Sequence, residues 1–146
     1  MVIPVYSGQV TLPALMAELE PLTQVTRTPG GKSFAIEEVL LVWDRGPGNS
    51  DRTIRDLTDQ YSWVKPVWLS RNFGQHAATL AGMTSSGGDW IVTMDEDGQQ
   101  DPQFIAPMID TAYADRAQLV YATPTNPPPH SKLRNLGSKF AKRLFA

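Results

Sequence analysis

Apolar, β-branched runs alternate along this chain with stretches in which apolar residues recur at helical spacing, and no internal repeat is visible. Val2 to Tyr6 reads as a first strand. Ser7 and Gly8 end it, and a helix is predicted from about Leu12, with Thr11 as its N-cap and Pro13 in the first turn. Residues 26–33, TRTPGGKS, read as a loop. Val39 to Trp43 is a continuous apolar run ending at Asp44, the pattern of a parallel strand buried on both faces. RGPGNS at 45–50 cannot extend it, and Ser50 is predicted to cap a helix that turns Ile54, Leu57 and Tyr61 inward.

A third strand is predicted at Val64 to Leu69, then a loop at Ser70 to Gly74 and an Ala-rich helix ending at Gly87 and Gly88. Trp90 to Met94 reads as a fourth strand running into an acidic cluster, and Trp43 and Trp90 read as core residues. Pro102 opens a helix with Phe104, Ile105, Met108 and Ile109 on its inner face. Leu119 to Ala122 is predicted as a short fifth strand, TPTNPPP as a stiff polyproline-like connector, and about Lys132 to Phe145 as a last helix.

Strands alternating with helices imply an α/β fold: a mostly parallel, Rossmann-like sheet with right-handed crossovers and helices on both faces. Ligands bind such sheets at the carboxyl ends of the strands. That rule gathers Pro4 to Gly8, Asp44 to Ser50, Ser70 to Gln75 and Asp95 to Asp101 along one edge. The length of 146 residues fits a single domain with an ordinary core. With no cysteine there are no disulfides, thiolate metal sites or Cys nucleophiles. No apolar run approaches a membrane span, and no signal peptide is recognisable at Met1, so the chain as given is expected to be unexported.

Charge changes the picture more than composition does. The net charge of -2 offers no global field for nucleic acid. Residues 89–116 nevertheless hold 7 acidic and 1 basic side chain, and residues 117–146 hold 5 basic and no acidic ones. An acidic block followed by a basic one suits a divalent cation held beside an anionic ligand, and equally suits two solvated helix faces.

Asp95 and Asp97 leave the fourth strand on the same side of an extended backbone, where their repulsion calls for a cation. Hard oxygen ligands favour Mg²⁺ or Mn²⁺, completed by phosphate oxygens; Gln99 could add a carbonyl, and Asp101 could instead cap the next helix. The alternative is an acidic turn. Asp44 at a strand end suits either hydrogen bonds from a ribose or base edge, or a turn before Gly46. Arg71, Asn72 and Gly74 open a loop in which glycine lets backbone approach a ligand and arginine can stack on a base or pair with phosphate. His76 reads as a first-turn polar residue of the helix that follows. Arg134 and Ser138 share one face of the last helix and could meet a diphosphate. No Ser-His-Asp set, Walker loop or G-x-G-x-x-G is present.

Taken together, VIPVYSG, the strand ending at Asp44 with GNSDRT after it, LSRNFGQHAATLAG, GDWIVTMDEDGQQDP and RNLGSKF resemble the family-2 glycosyltransferases of GT-A fold. They look most like the branch that moves a sugar onto a polyprenyl phosphate, such as dolichol-phosphate mannose synthase and its bacterial undecaprenyl-phosphate relatives. Ser7 stands where that family usually has Asn, Trp43 and Asp44 where it has paired carboxylates, and Tyr121-Ala122-Thr123-Pro124 carries no positive charge where that family has an Arg soon after the fifth strand.

The resemblance implies an inverting, metal-dependent transfer from a UDP- or GDP-linked sugar, with Mg²⁺ or Mn²⁺ as cofactor. Pro4 and Tyr6 would line the nucleotide pocket, with Arg71 and Asn72 in its third loop, and Asp44 would hold the base. Asp95 would meet ribose or metal-bound diphosphate, Asp97 and Gln99 would ligate the metal, and Arg134 and Ser138 would contact donor or acceptor phosphate. It also implies one donor-binding domain over 1–146, cut short before acceptor-binding and membrane-associating segments, in an enzyme of the cytoplasmic membrane face. Apolar residues Phe140, Leu144 and Phe145 point to a homodimer or to a cut edge. The alternatives are a polysaccharide or protein acceptor, or a non-catalytic nucleotide-binding module.

Overall fold

The computed structural model describes residues 1–123. Strands β1 (Val2–Val5), β4 (Val39–Trp43) and β5 (Val64–Trp68) form a parallel sheet in the order β1, β4, β5. Val2 lies opposite Leu40, and Val39 opposite Val64. Helices α1 (Leu12–Leu19) and α2 (Ser50–Gln60) connect these strands, and α3 (Gln75–Ser85) and α4 (Ile105–Asp115) follow.

Side-chain alternation explains why the strand sequences are apolar throughout. Ile3, Val5, Val39 and Leu41 pack with Leu12, Leu15 and Met16 of α1 and Ile54 and Leu57 of α2. Val2, Leu40 and Val42 face the other way and pack on Ala78 of α3. A strand buried on both faces has no polar position to spare. On the α3 side the approach is close: a Cβ on Gly82 would stand 2.3 Å from Val2 Cγ1 and 2.8 Å from Val42 Cγ2.

The structure departs from the sequence reading at several points. The 26–33 segment is a small antiparallel hairpin, β2 (Thr26–Arg27) and β3 (Ser33–Phe34), and Asp110 of α4 accepts from Thr28 Oγ1 and, at 2.7 Å, from Gly30 N–H. The fourth strand shrinks to one parallel bridge between Val2 and Thr93, supported by Val2 N–H to Val92 O at 2.8 Å and Met94 N–H to Val2 O at 3.1 Å. With only one neighbour to pair against among the described residues, 90–94 leaves Trp90 and Ile91 exposed. Trp90 is therefore not core; it packs against Tyr113 with ring centroids 6.0 Å apart.

Residues 119–122 form no strand. Ser50 begins α2 but Asn49 is the N-cap, and the buried Ser50 hydroxyl has no hydrogen-bond partner among the described residues. Pro102–Phe104 is a short 3₁₀ turn before α4, with Ile105 buried and Phe104 exposed, because the tighter turn rotates Phe104 off the apolar face. Arg134, Ser138, the connector from Pro124 and the last helix lie outside the described residues. No helix among the described residues is long and apolar enough to cross a membrane.

Candidate nucleotide-sugar cleft

The loops that leave β1, β4 and β5, together with 95–97, meet at the carboxyl edge of the sheet, where the sequence gathers its unusual residues. They enclose an open cleft of about 420 Å³ lined by Pro4, Val5, Tyr6, Asp44, Asn72, Gly74, Gln75, Asp95, Glu96 and Asp97. Among the described residues, every charged side chain lining it is acidic. Such a surface attracts a cation, and through it an anionic ligand.

Asp44 is 3% exposed at the end of β4. Its carboxylate accepts from the Phe73 N–H at 2.7 Å and the Gly74 N–H at 2.8 Å. Gly74 is the N-cap of α3, and with φ +89 it has the backbone conformation that glycine adopts freely. Lacking a side chain, it cannot cap its own helix. Asp44 instead accepts the N–H of the N-cap residue itself and of Phe73 before it, and places negative charge at the positive end of α3. Asp44 lines the cleft, and its carboxylate also secures the third loop, a role the sequence reading did not give it.

The acidic segment is a turn rather than an extended continuation of the strand. Gly98, at φ +70, reverses the chain, so Asp95 and Asp97 do not project from extended backbone. Both nevertheless line the cleft. Asp95 accepts from Gln75 Nε2 at 2.6 Å and from Gln100 Nε2 at 3.2 Å, while Gln100 Oε1 receives the Asp95 N–H at 2.9 Å. Asp97 accepts the Gln99 N–H at 3.0 Å through Oδ1. Asp101 caps the following turn by accepting the Gln103 N–H at 2.8 Å.

Glu96, between the two aspartates, lines the same cleft and reaches the loop after β1. It accepts the N–H groups of Tyr6 at 3.1 Å and Ser7 at 2.9 Å. Nothing in the sequence singles out Glu96, which reads as part of an acidic run. Gln75 and Gln100 are equally silent, because their role depends on a contact with Asp95 across the fold. Tyr6, half exposed, lines the cleft.

Arg71 and Gln99 do not line the cleft. The Arg71 guanidinium lies 4.7 Å over the Phe73 ring, and Gln99 is exposed on the turn. His76 is exposed in the first turn of α3. Among the described residues no cluster of three metal-ligating side chains is preassembled. The hard oxygens of Asp95 and Asp97 fit a cation that draws its remaining ligands from water and phosphate, as Mg²⁺ does.

Residues 2–145 match the sequence profile of Glycosyl transferase family 2. The undecaprenyl-phosphate 4-deoxy-4-formamido-L-arabinose transferase of Klebsiella pneumoniae subsp. pneumoniae is 36% identical over 149 residues, 99% of this chain and 42% of that protein. The protein so named from Klebsiella pneumoniae strain 342 is 35% identical over the same shares. The chain therefore spans well under half the length of these relatives. Among solved structures, residues 1–349 of S. aureus TarS share the fold with a TM-score of 0.59 at 15% identity, covering 90% of this chain and 37% of that one. A second S. aureus TarS structure gives 0.53 at 17% identity, covering 77% of this chain and 19% of that one. At these identities the likeness is one of fold, and the fold is the GT-A arrangement.

Proposed function

The chain belongs to glycosyl transferase family 2, and from that premise we propose that residues 1–146 are the donor-binding domain of an inverting glycosyltransferase. Its donor is a nucleotide-diphosphate sugar, UDP- or GDP-linked, and its acceptor a polyprenyl phosphate at the cytoplasmic face of the membrane. The names of the Klebsiella relatives, both undecaprenyl-phosphate transferases, support the acceptor class. The observation that carries the donor reading is the joint lining of one acidic cleft by Tyr6, Asp44, Asp95 and Asp97.

In this reading Tyr6 and Pro4 flank the base, and Asn72 borders the nucleoside beside the Asp44-capped loop. A divalent cation, Mg²⁺ or Mn²⁺, held by Asp95 and Asp97 would offset the charge that develops on the departing diphosphate. The acceptor phosphate, with a second pKa of about 6, is largely dianionic at neutral pH and needs no strong general base. Its oxygen forms the new bond at the anomeric carbon while the bond to the nucleoside diphosphate breaks. Arg134 and Ser138 of the basic C-terminal segment are assigned to donor or acceptor phosphate.

The test is calorimetric titration of this chain with UDP and GDP, each with Mn²⁺ and again with EDTA. Binding of one nucleotide that requires the metal supports the donor site and identifies the base. Metal-independent binding, or none, overturns it.

A further inference from the structure

We propose that Glu96 is a positioning residue of the donor cleft, tying the loop after β1 to the acidic turn and thereby setting where Tyr6 stands. The inference rests on the nucleotide-sugar reading above and goes beyond it, since it gives the middle residue of Asp95-Glu96-Asp97 a task distinct from its neighbours.

Three observations converge on it. First, the Glu96 carboxylate receives two successive backbone N–H groups, Tyr6 at 3.1 Å and Ser7 at 2.9 Å. Two adjacent donors converging on one anion form a small charged clamp, and hydrogen bonds to a charged acceptor are about twice as strong as neutral ones. Second, the loop is shaped around this side chain. A Cβ on Gly8 would lie 2.5 Å from Glu96 Oε2 and 2.9 Å from Leu12 Cγ, so only glycine admits the carboxylate there. The Gly8 carbonyl in turn accepts the Leu12 N–H at 2.9 Å, which joins the clamp to the start of α1.

Third, the partners of the three carboxylates differ. Asp95 is held by the side chains of Gln75 and Gln100, Asp97 by the backbone of its own turn, and Glu96 alone reaches another loop through backbone N–H groups. Tyr6 and Glu96 both line the cleft, so the clamp fixes one wall relative to the other.

A neutral amide is a poor substitute, because its NH₂ would face one of the two N–H donors. Glu96→Gln and Glu96→Ala are therefore both informative, and the glutamine variant nearly preserves volume if the alanine variant folds poorly. Two readouts are made on this chain: amide hydrogen exchange at Tyr6 and Ser7 without ligand, and calorimetric affinity for UDP and GDP with Mn²⁺. Exchange at those two amides is expected to rise about tenfold or more in both variants, with Ile3 and Val5 unchanged, and nucleotide affinity to fall about tenfold.

Unchanged exchange at Tyr6 and Ser7 overturns the clamp. Raised exchange with unchanged affinity overturns its role in the cleft. Failure of the unaltered chain to bind either nucleotide instead overturns the donor reading, and with it the positioning role, while the exchange data still report whether the tie exists.

Discussion

Asp44 caps a helix to which it does not belong: from the end of β4 its carboxylate takes the Gly74 N–H at 2.8 Å, at the N-terminus of α3. A helix begun by glycine lacks a side chain to fix its entry, and here a strand end fixes it by holding the N–H groups of Phe73 and Gly74 and by setting negative charge against the helix N-terminus. The third loop of the cleft consequently stands or falls with that carboxylate.

Asp44→Ala should therefore lower stability by about 1–3 kcal/mol, since it leaves the Phe73 N–H without its acceptor and the Gly74 N–H with only Asn72 Oδ1, at 3.1 Å. Asp44→Asn should cost less, because its carbonyl still accepts one N–H. Urea unfolding of the two variants checks the order, and equal midpoints for alanine and wild type would remove the cap.

Asp97→Ala should abolish metal-dependent nucleotide binding while leaving the thermal midpoint unchanged or higher. The side chain is exposed, its one hydrogen bond lies within its own turn, and its removal relieves repulsion in an acidic cleft. Calorimetry with Mn²⁺ alongside a thermal melt separates the two effects.

Gly82→Ala should destabilise by about 1–3 kcal/mol, as an added methyl in a packed interior does. Its Cβ would fall 2.3 Å from Val2 Cγ1, and Val2 is fully buried in β1. A neutral denaturation midpoint would mean that α3 can move away from the sheet.

Glu38 carries a pH dependence. Its carboxylate accepts from Lys65 Nζ at 2.7 Å and from the Gly87 N–H at 2.7 Å. The Lys65 hydrogen bond, followed by that from Gly87, holds its pKa below the ordinary carboxylate range. A group depressed on folding stabilises the protein above its unfolded pKa, about 4.3 for glutamate, and that contribution fades as pH falls through the lower folded value. Glu38→Gln should be less stable than wild type at pH 7 and should lose less on acidification below about 4.3. Urea midpoints across a pH series give both slopes; parallel curves would remove Glu38 from the acid response.

What the sequence made legible was whatever depends on near neighbours. The apolar run Val39–Trp43 announced a two-sided strand, and the order of strands and helices placed Asp44, Asn72 and Asp95 on one edge. Asp101 ahead of Pro102 announced a cap, and the cap is there. The hidden part is the part made by distant pairing. β2 and β3 are two residues each, too short for alternation to register, and the strand at 90–94 depends on how many neighbours the sheet provides. Glu96 differs from the flanking aspartates only in where its carboxylate arrives, 90 positions back along the chain at the Tyr6 N–H.

These long-range ties change how a ligand meets the cleft. Glu96 holds the Tyr6 loop, Asp44 the Phe73–Gly74 loop, Gln75 the Asp95 turn, and Gln9 accepts the Asn49 N–H at 2.6 Å to hold the loop ahead of α2. Loops that are already crosslinked have surrendered their conformational freedom during folding, so little remains to be lost when a nucleotide arrives. For the proposed nucleotide ligand, these described loops are expected to act as a cut lock does for its key, with selectivity decided by the shape of the walls.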